Sequence, residues 1–107
     1  MKIELQVIAD CPHTANAYEL LRQALDEVGL SRAAITTTVI TDDEHAQQVG
    51  FHGSPSFAVD GRDLFHRPGA APGWSCRLYL TGTGLAPLPE FSQLRDRLEE
   101  AAAADRV

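Results

Sequence analysis

The chain is predicted to be an α/β protein with a four-stranded mixed sheet and helices on both faces, in the order β-α-β-α-β-β-α. Three observations carry this. Residues 2–8 alternate polar and apolar side chains, the period of a half-buried strand. Residues 12–28 repeat apolar side chains at intervals of three and four, the period of a helix. A β-branched run then follows at 34–40, and a strand-helix-strand succession forces a parallel pair with a right-handed crossover.

Each element has its own warrant. Lys2-Ile3-Glu4-Leu5-Gln6-Val7 and Ile8 form the first strand. The helical stripe Ala17, Leu20, Leu21, Ala24, Leu25 and Val28 starts at Pro12 and is closed by Gly29. Ala34–Ile40, with Ile-Thr-Thr-Thr-Val-Ile at its centre, is the second strand. Thr41 starts a short helix, with Glu44 as its capping-box partner and Asp42 and Asp43 in its first turn. Ser56-Phe57-Ala58-Val59 is the third strand and stops at the turn signal Asp60-Gly61. Residues 61–75, rich in Gly and Pro, read as an irregular insertion of a length that is functional or mobile. Cys76-Arg77-Leu78-Tyr79-Leu80 alternates and reads as the fourth strand, broken by Gly82-Thr83-Gly84. Past Pro87 and Pro89, a last helix gathers Phe91, Leu94, Leu98 and Ala101/Ala102 on one face.

Composition narrows the function classes. A length of 107 residues suits one domain, taken as 1–107, with a modest core. A net charge of −6 argues against nucleic acid or an anionic membrane as partner. No apolar run is long enough to span a bilayer, and Met1–Asp10 carries charges where a signal peptide needs an apolar core. The two cysteines are too far apart in sequence for a disulfide scaffold and fit no zinc spacing, so a reducing cytoplasm is the expected compartment.

The chemistry points to Asp10-Cys11-Pro12-His13-Thr14, at the junction of the first strand and first helix. A cysteine at a helix N-terminus meets unpaired N–H groups and the positive end of the dipole, which favour its thiolate. Pro12 suits the first helical position, His13 adds positive charge near the sulfur, and the Thr14 hydroxyl is placed to donate to it. Farther on, Gly53-Ser54-Pro55-Ser56 leads into the third strand. This is a place where a cis X–Pro bond can set a loop against Cys11, with Ser54 presenting backbone groups to an extended chain as a strand edge does, although most X–Pro bonds are trans. The same cysteine read without chemistry is a small buried apolar residue.

These two motifs, Cys-Pro-His-Thr and Val49-Gly50-Phe51-His52-Gly53-Ser54-Pro55-Ser56-Phe57, resemble the thioredoxin/glutaredoxin superfamily over residues 1–60. The resemblance implies a nucleophile at Cys11 and a cis-proline at Pro55. The second cysteine of the family's Cys-x-x-Cys is Thr14 here, so the site is monothiol at that position. Together with Val59-Asp60-Gly61-Arg62-Asp63 and Ser75-Cys76-Arg77-Leu78-Tyr79, the motifs also resemble small actinobacterial proteins labelled thioredoxin-like or alkylmercury lyase. Gly82-Thr83-Gly84 is similar to the glycine pair with which glutaredoxins contact glutathione, which makes Gly82 a candidate substrate contact.

Cys76 reads first as a structural cysteine and second as a resolving thiol or co-ligand. In a simple hairpin it pairs near Asp60, well over ~10 Å from the proline loop and beyond disulfide reach. His45, His52 and His66 read as surface residues, with His52 nearest the site, and Arg62, Arg67 and Arg77 have no assigned place. The leading expectation is a cytoplasmic monothiol thiol-disulfide oxidoreductase, monomer or homodimer, with no bound cofactor or metal. It takes a disulfide or mixed-disulfide substrate, with glutathione or another low-molecular-weight thiol as second reactant. The alternative is a non-catalytic module that binds a soft metal, an organometal or a partner protein through Cys11.

Overall fold

The computed structural model describes residues 1–105. It contains β1 (Ile3–Ile8), α1 (Thr14–Glu27), β2 (Ile35–Ile40), α2 (Asp43–Val49), β3 (Ser56–Val59), β4 (Arg62–Asp63), β5 (Tyr79–Thr81), β6 (Gly84–Ala86) and α3 (Phe91–Asp105). β1 to β4 form a four-stranded mixed sheet in the order β2-β1-β3-β4. β2 runs parallel to β1, in the register Ile3 to Ile35 through Ile8 to Ile40. β3 runs antiparallel to β1, with Ile3 opposite Val59 and Gln6 opposite Ser56.

Strand alternation sorts the core. Ile3, Leu5 and Val7 join Ala17, Leu21, Ala24 and Leu25 of α1 and Leu94 and Leu98 of α3 in the main cluster. Phe57, Val59 and Tyr79 complete it. Ile40, the ladder partner of Ile8, lies in a second cluster with Ala46 of α2 and with Phe51. Paired residues of a ladder share a face, so α1 and α3 cover one side of the sheet and α2 the other. On the α2 side β1 also buries two polar residues. The Glu4 carboxylate accepts from Gln6 Nε2 (3.1 Å) and from Thr38 Oγ1 (2.6 Å). Among the described residues no helix is long and apolar enough to cross a membrane.

Three expectations from sequence are corrected. The fourth strand of the sheet is Arg62–Asp63, inside the span expected to be irregular. Asp60 and Gly61 both take positive φ (51° and 81°), the conformation of a two-residue hairpin turn, so the chain reverses at once and fills the edge of β3. A strand next in sequence closes the shorter loop and takes the edge first. Tyr79–Thr81 instead pairs with Gly84–Ala86 in a separate two-stranded ribbon across the Gly82-Thr83 turn. The first helix begins at Thr14 rather than Pro12, with His13 at its N-cap. The second helix is capped by Asp42, whose side chain accepts from the His45 N–H (2.8 Å), and not by Thr41.

Candidate functional site at the carboxyl end of β1

β1 ends in a tight turn that places Cys11. Asp10 adopts a left-handed conformation (φ 59°), and the Cys11 N–H donates back to the Ile8 carbonyl (3.3 Å). A second turn follows at once, with the Thr14 N–H donating to the Cys11 carbonyl (3.3 Å). Cys11 therefore stands two residues ahead of the N-cap, and Pro12 occupies the turn rather than the first helical position. His13, at the N-cap, makes no side-chain capping bond. The Thr14 hydroxyl donates to the Cys11 carbonyl (3.1 Å), which is a backbone contact and not the contact to sulfur expected from sequence. Cys11 itself is only 9 % exposed and belongs to the main hydrophobic cluster.

The proline loop lies beside this turn. The Ser54–Pro55 peptide bond is cis. Ser54 Oγ accepts from the Ile8 N–H (3.1 Å), tying the loop to the end of β1. Ser56 Oγ donates to the Gly53 carbonyl, and the Tyr79 hydroxyl donates to the Pro55 carbonyl. Ser54 and Pro55 are buried by these contacts.

The larger departure concerns Cys76. It does not pair near Asp60; it forms an isolated parallel bridge with Ser54. The Ser54 N–H donates to the Ser75 carbonyl (2.8 Å), and the Arg77 N–H donates to the Ser54 carbonyl (3.0 Å). Neighbouring strands lie ~4.8 Å apart, so Cys76 sits about one strand spacing from the proline loop rather than at the far end of the sheet. The hairpin placement failed because β4 already holds the outer edge of β3 at Ala58 and Val59, leaving 75–77 to pair higher, at Ser54. Cys76 is exposed. It opens onto a groove of about 390 Å³ whose lining includes His52, Arg67, Arg77, Leu78 and Leu85 and no carboxylate. The His52 and His66 rings lie 6.1 Å apart, edge to face, beside it.

Arg77, one of three arginines that the sequence left without a place, organises the segment. Its guanidinium pairs with Asp63 Oδ2 (2.6 Å), both side chains about nine-tenths buried. It also donates to Ser56 Oγ (3.0 Å) and to the Phe65 carbonyl (2.7 Å), and it lies 4.8 Å over the Tyr79 ring. Burial pushes the Tyr79 hydroxyl above the ordinary tyrosine range; Arg77 opposes the shift and Asp63 adds to it. The hint available in sequence was the spacing: a strand reading of 76–80 puts Arg77 and Tyr79 two residues apart on one face, where the guanidinium can lie over the ring.

Gly82 lies outside this group. It sits in the β5–β6 turn with its N–H donating to Glu90 Oε1 (2.9 Å). Cys11, Pro12, His13 and Thr14 are thus gathered with Ser54, Pro55 and the backbone of Cys76 at one end of the sheet, through Ile8 and Ser54. Among the described residues no cluster of three or more His, Cys, Asp or Glu side chains forms a metal-holding group. Comparison with protein-family models, curated proteins and solved structures finds no match to this chain.

Proposed function

We propose that this chain is a thioredoxin-like thiol-disulfide oxidoreductase, monothiol in its motif, with Cys11 as nucleophile. The observation that carries the reading is Ser54, which bonds the end of β1 through its hydroxyl and flanks Cys76 through its backbone. One loop thereby links the turn bearing Cys11 with a second thiol. The β2-β1-β3-β4 order, with β1 and β2 parallel and β3 and β4 antiparallel, supports the topology.

In the reaction, the Cys11 thiolate attacks one sulfur of a disulfide. The S–S bond breaks, the other sulfur leaves as a thiolate, and Cys11 carries a mixed disulfide. A second thiolate, from a glutathione- or mycothiol-type thiol or from Cys76, attacks that bond and discharges Cys11. Each exchange conserves the number of disulfide bonds, so the chain itself needs no bound cofactor.

The burial of Cys11 favours a second reading: a non-catalytic module of the same fold in which this cysteine packs as a small apolar residue. One experiment separates the two. In Cys76→Ser, Cys11 is the sole thiol, and its reaction with 5,5′-dithiobis(2-nitrobenzoate) releases one thionitrobenzoate per chain. The oxidoreductase reading expects release under native conditions at a rate indifferent to low urea. Release that climbs with urea in step with global unfolding shows that only the unfolded chain reacts, and the non-catalytic reading then stands.

A further inference from the structure

An edge of backbone that recognises an extended polypeptide must keep its N–H and C=O groups free. At Ser54 both are spent inside the molecule, on the Ser75 carbonyl and the Arg77 N–H. Three residues earlier, and one residue out of that register, the Gly73 N–H donates to the Phe51 carbonyl (2.9 Å). Residues 73–77 therefore run alongside residues 51–54 as a strap, in the place an added strand takes.

The strap is fastened at both ends. At one end Trp74 Nε1 donates to the carbonyl of Ile40, the last residue of β2 (2.8 Å), and the Trp74 N–H donates to Asp43 Oδ1 (2.9 Å). At the other end the Arg77 guanidinium is buried against Asp63, Ser56 and the Phe65 carbonyl. Between them the backbones pack too closely for a side chain: a Cβ on Gly53, whose φ is +121°, meets Arg77 Cβ at 2.8 Å. Opening such a strap breaks the charge pair and several backbone hydrogen bonds together, each of modest net worth but lost at once.

We infer that residues 73–77 are an internal occupant of the polypeptide-recognition edge at Ser54, and that Cys11 consequently serves small disulfides and excludes extended protein segments. This inference rests on the oxidoreductase reading and names the substrate class of that site. A small disulfide needs only an approach to the sulfur. An extended segment also needs the edge that the strap holds.

The test compares two probes with the same leaving group on the Cys76→Ser protein: 5,5′-dithiobis(2-nitrobenzoate), and a short unstructured peptide whose single cysteine carries thionitrobenzoate. Each rate is divided by the rate of the same probe with N-acetylcysteine. The expected result is a normalised rate at least about tenfold lower for the peptide, the ratio of a barrier difference of ~1.4 kcal/mol. Asp63→Asn and, independently, Trp74→Phe loosen one fastening each, and in either the gap narrows while amide exchange at Ser54 and Arg77 quickens. Trp74→Phe keeps an aromatic side chain while removing the Nε1 donor, and it carries the test if Asp63→Asn does not fold. Equal normalised rates in the parent protein overturn the inference, as does an unchanged gap in a folded variant whose Ser54 and Arg77 amides exchange faster. Reaction of neither probe short of unfolding is a different failure: it removes the oxidoreductase reading itself, and the inference with it.

Discussion

The end of β1 that leads to Cys11 and the segment that carries Cys76 both bond Ser54, yet opposite kinds of interaction hold the two cysteines. Cys11 sits in a turn and is buried as a member of the main hydrophobic cluster, which side chains of β1, α1 and α3 build. Cys76 sits on a segment with little regular structure, held by backbone hydrogen bonds to Ser54 and by the buried Arg77–Asp63 pair next to it. The first thiol is covered and the second is open to solvent. Packing energy is spread over many small contacts and tolerates local change, whereas a buried charge pair concentrates its effect in two side chains. The two regions should therefore fail in different ways.

The largest expected effect comes from breaking the polar region. Arg77→Met leaves the Asp63 carboxylate buried without its cation and removes three further contacts. The expected cost is about 3–5 kcal/mol of stability, read from urea unfolding. Combining it with Asp63→Asn should recover a substantial part of that loss, because no uncompensated charge then remains. A double variant as unstable as the sum of the singles would show that the pair acts only through packing, and the contrast drawn between the two regions would collapse.

The same division explains what the sequence makes legible. Periodicity reports which side chains face hydrocarbon, so β1, α1, β3 and α3 stand within a residue or two of where the pattern puts them, and Ser56–Val59 coincides. The Cys11 turn and the Ser54–Pro55 loop are local, and their residues do come together. What periodicity does not report is which of two candidate strands takes an edge. Arg62–Asp63 is too short to show a pattern, yet the positive-φ pair Asp60-Gly61 delivers it to β3 first. Cys76-Arg77-Leu78-Tyr79-Leu80 alternates well and still divides between the strap and the β5–β6 ribbon. Its placement depends on a charge pair across 14 residues of chain, a long-range contact with no local signature. Thr14 is legible as a neighbour of Cys11, but the atom its hydroxyl selects is not, since carbonyl and sulfur are both within reach of one side chain in a first helical turn.

A middle-sized effect belongs to Tyr79, which bridges the two regions: its ring packs with Phe57 and Phe65 and its hydroxyl bonds Pro55. Tyr79→Phe keeps the ring but leaves the buried Pro55 carbonyl without its donor, an expected cost of about 1–2 kcal/mol near neutral pH. The pH dependence has a definite sign. Burial raises the pKa of the folded tyrosine, so the unfolded chain, ionising near ~10, loses its proton first. The stability contributed by the neutral phenol is full below pH ~10 and declines above it, by up to ~1.4 kcal/mol per pH unit. Tyr79→Phe lacks that decline, so the gap between variant and parent should close as pH rises past ~10 in urea titrations. Parallel curves across that range would mean that Tyr79 is not buried as a neutral phenol.

The smallest expected effect tests the apolar region at Thr14. Its hydroxyl donates to the Cys11 carbonyl alongside the Thr14 N–H, so it reinforces a turn that a backbone bond already closes. Thr14→Val preserves the β-branched shape and removes one hydrogen bond at a half-buried site, with an expected loss of about 1 kcal/mol or less. Because the hydroxyl engages the backbone and not the sulfur, the rate of Cys11 with a small disulfide in the Cys76→Ser protein should change by no more than about twofold, the size of ~0.4 kcal/mol. Thr14→Ser should match the parent in both measurements. A large loss of Cys11 reactivity in Thr14→Val, restored in Thr14→Ser, would instead require the hydroxyl to turn toward the sulfur during reaction. Cys11 would then depend on a polar contact after all, as Cys76 depends on the hydrogen bonds at Ser54, and the distinction between the two thiols would narrow to exposure alone.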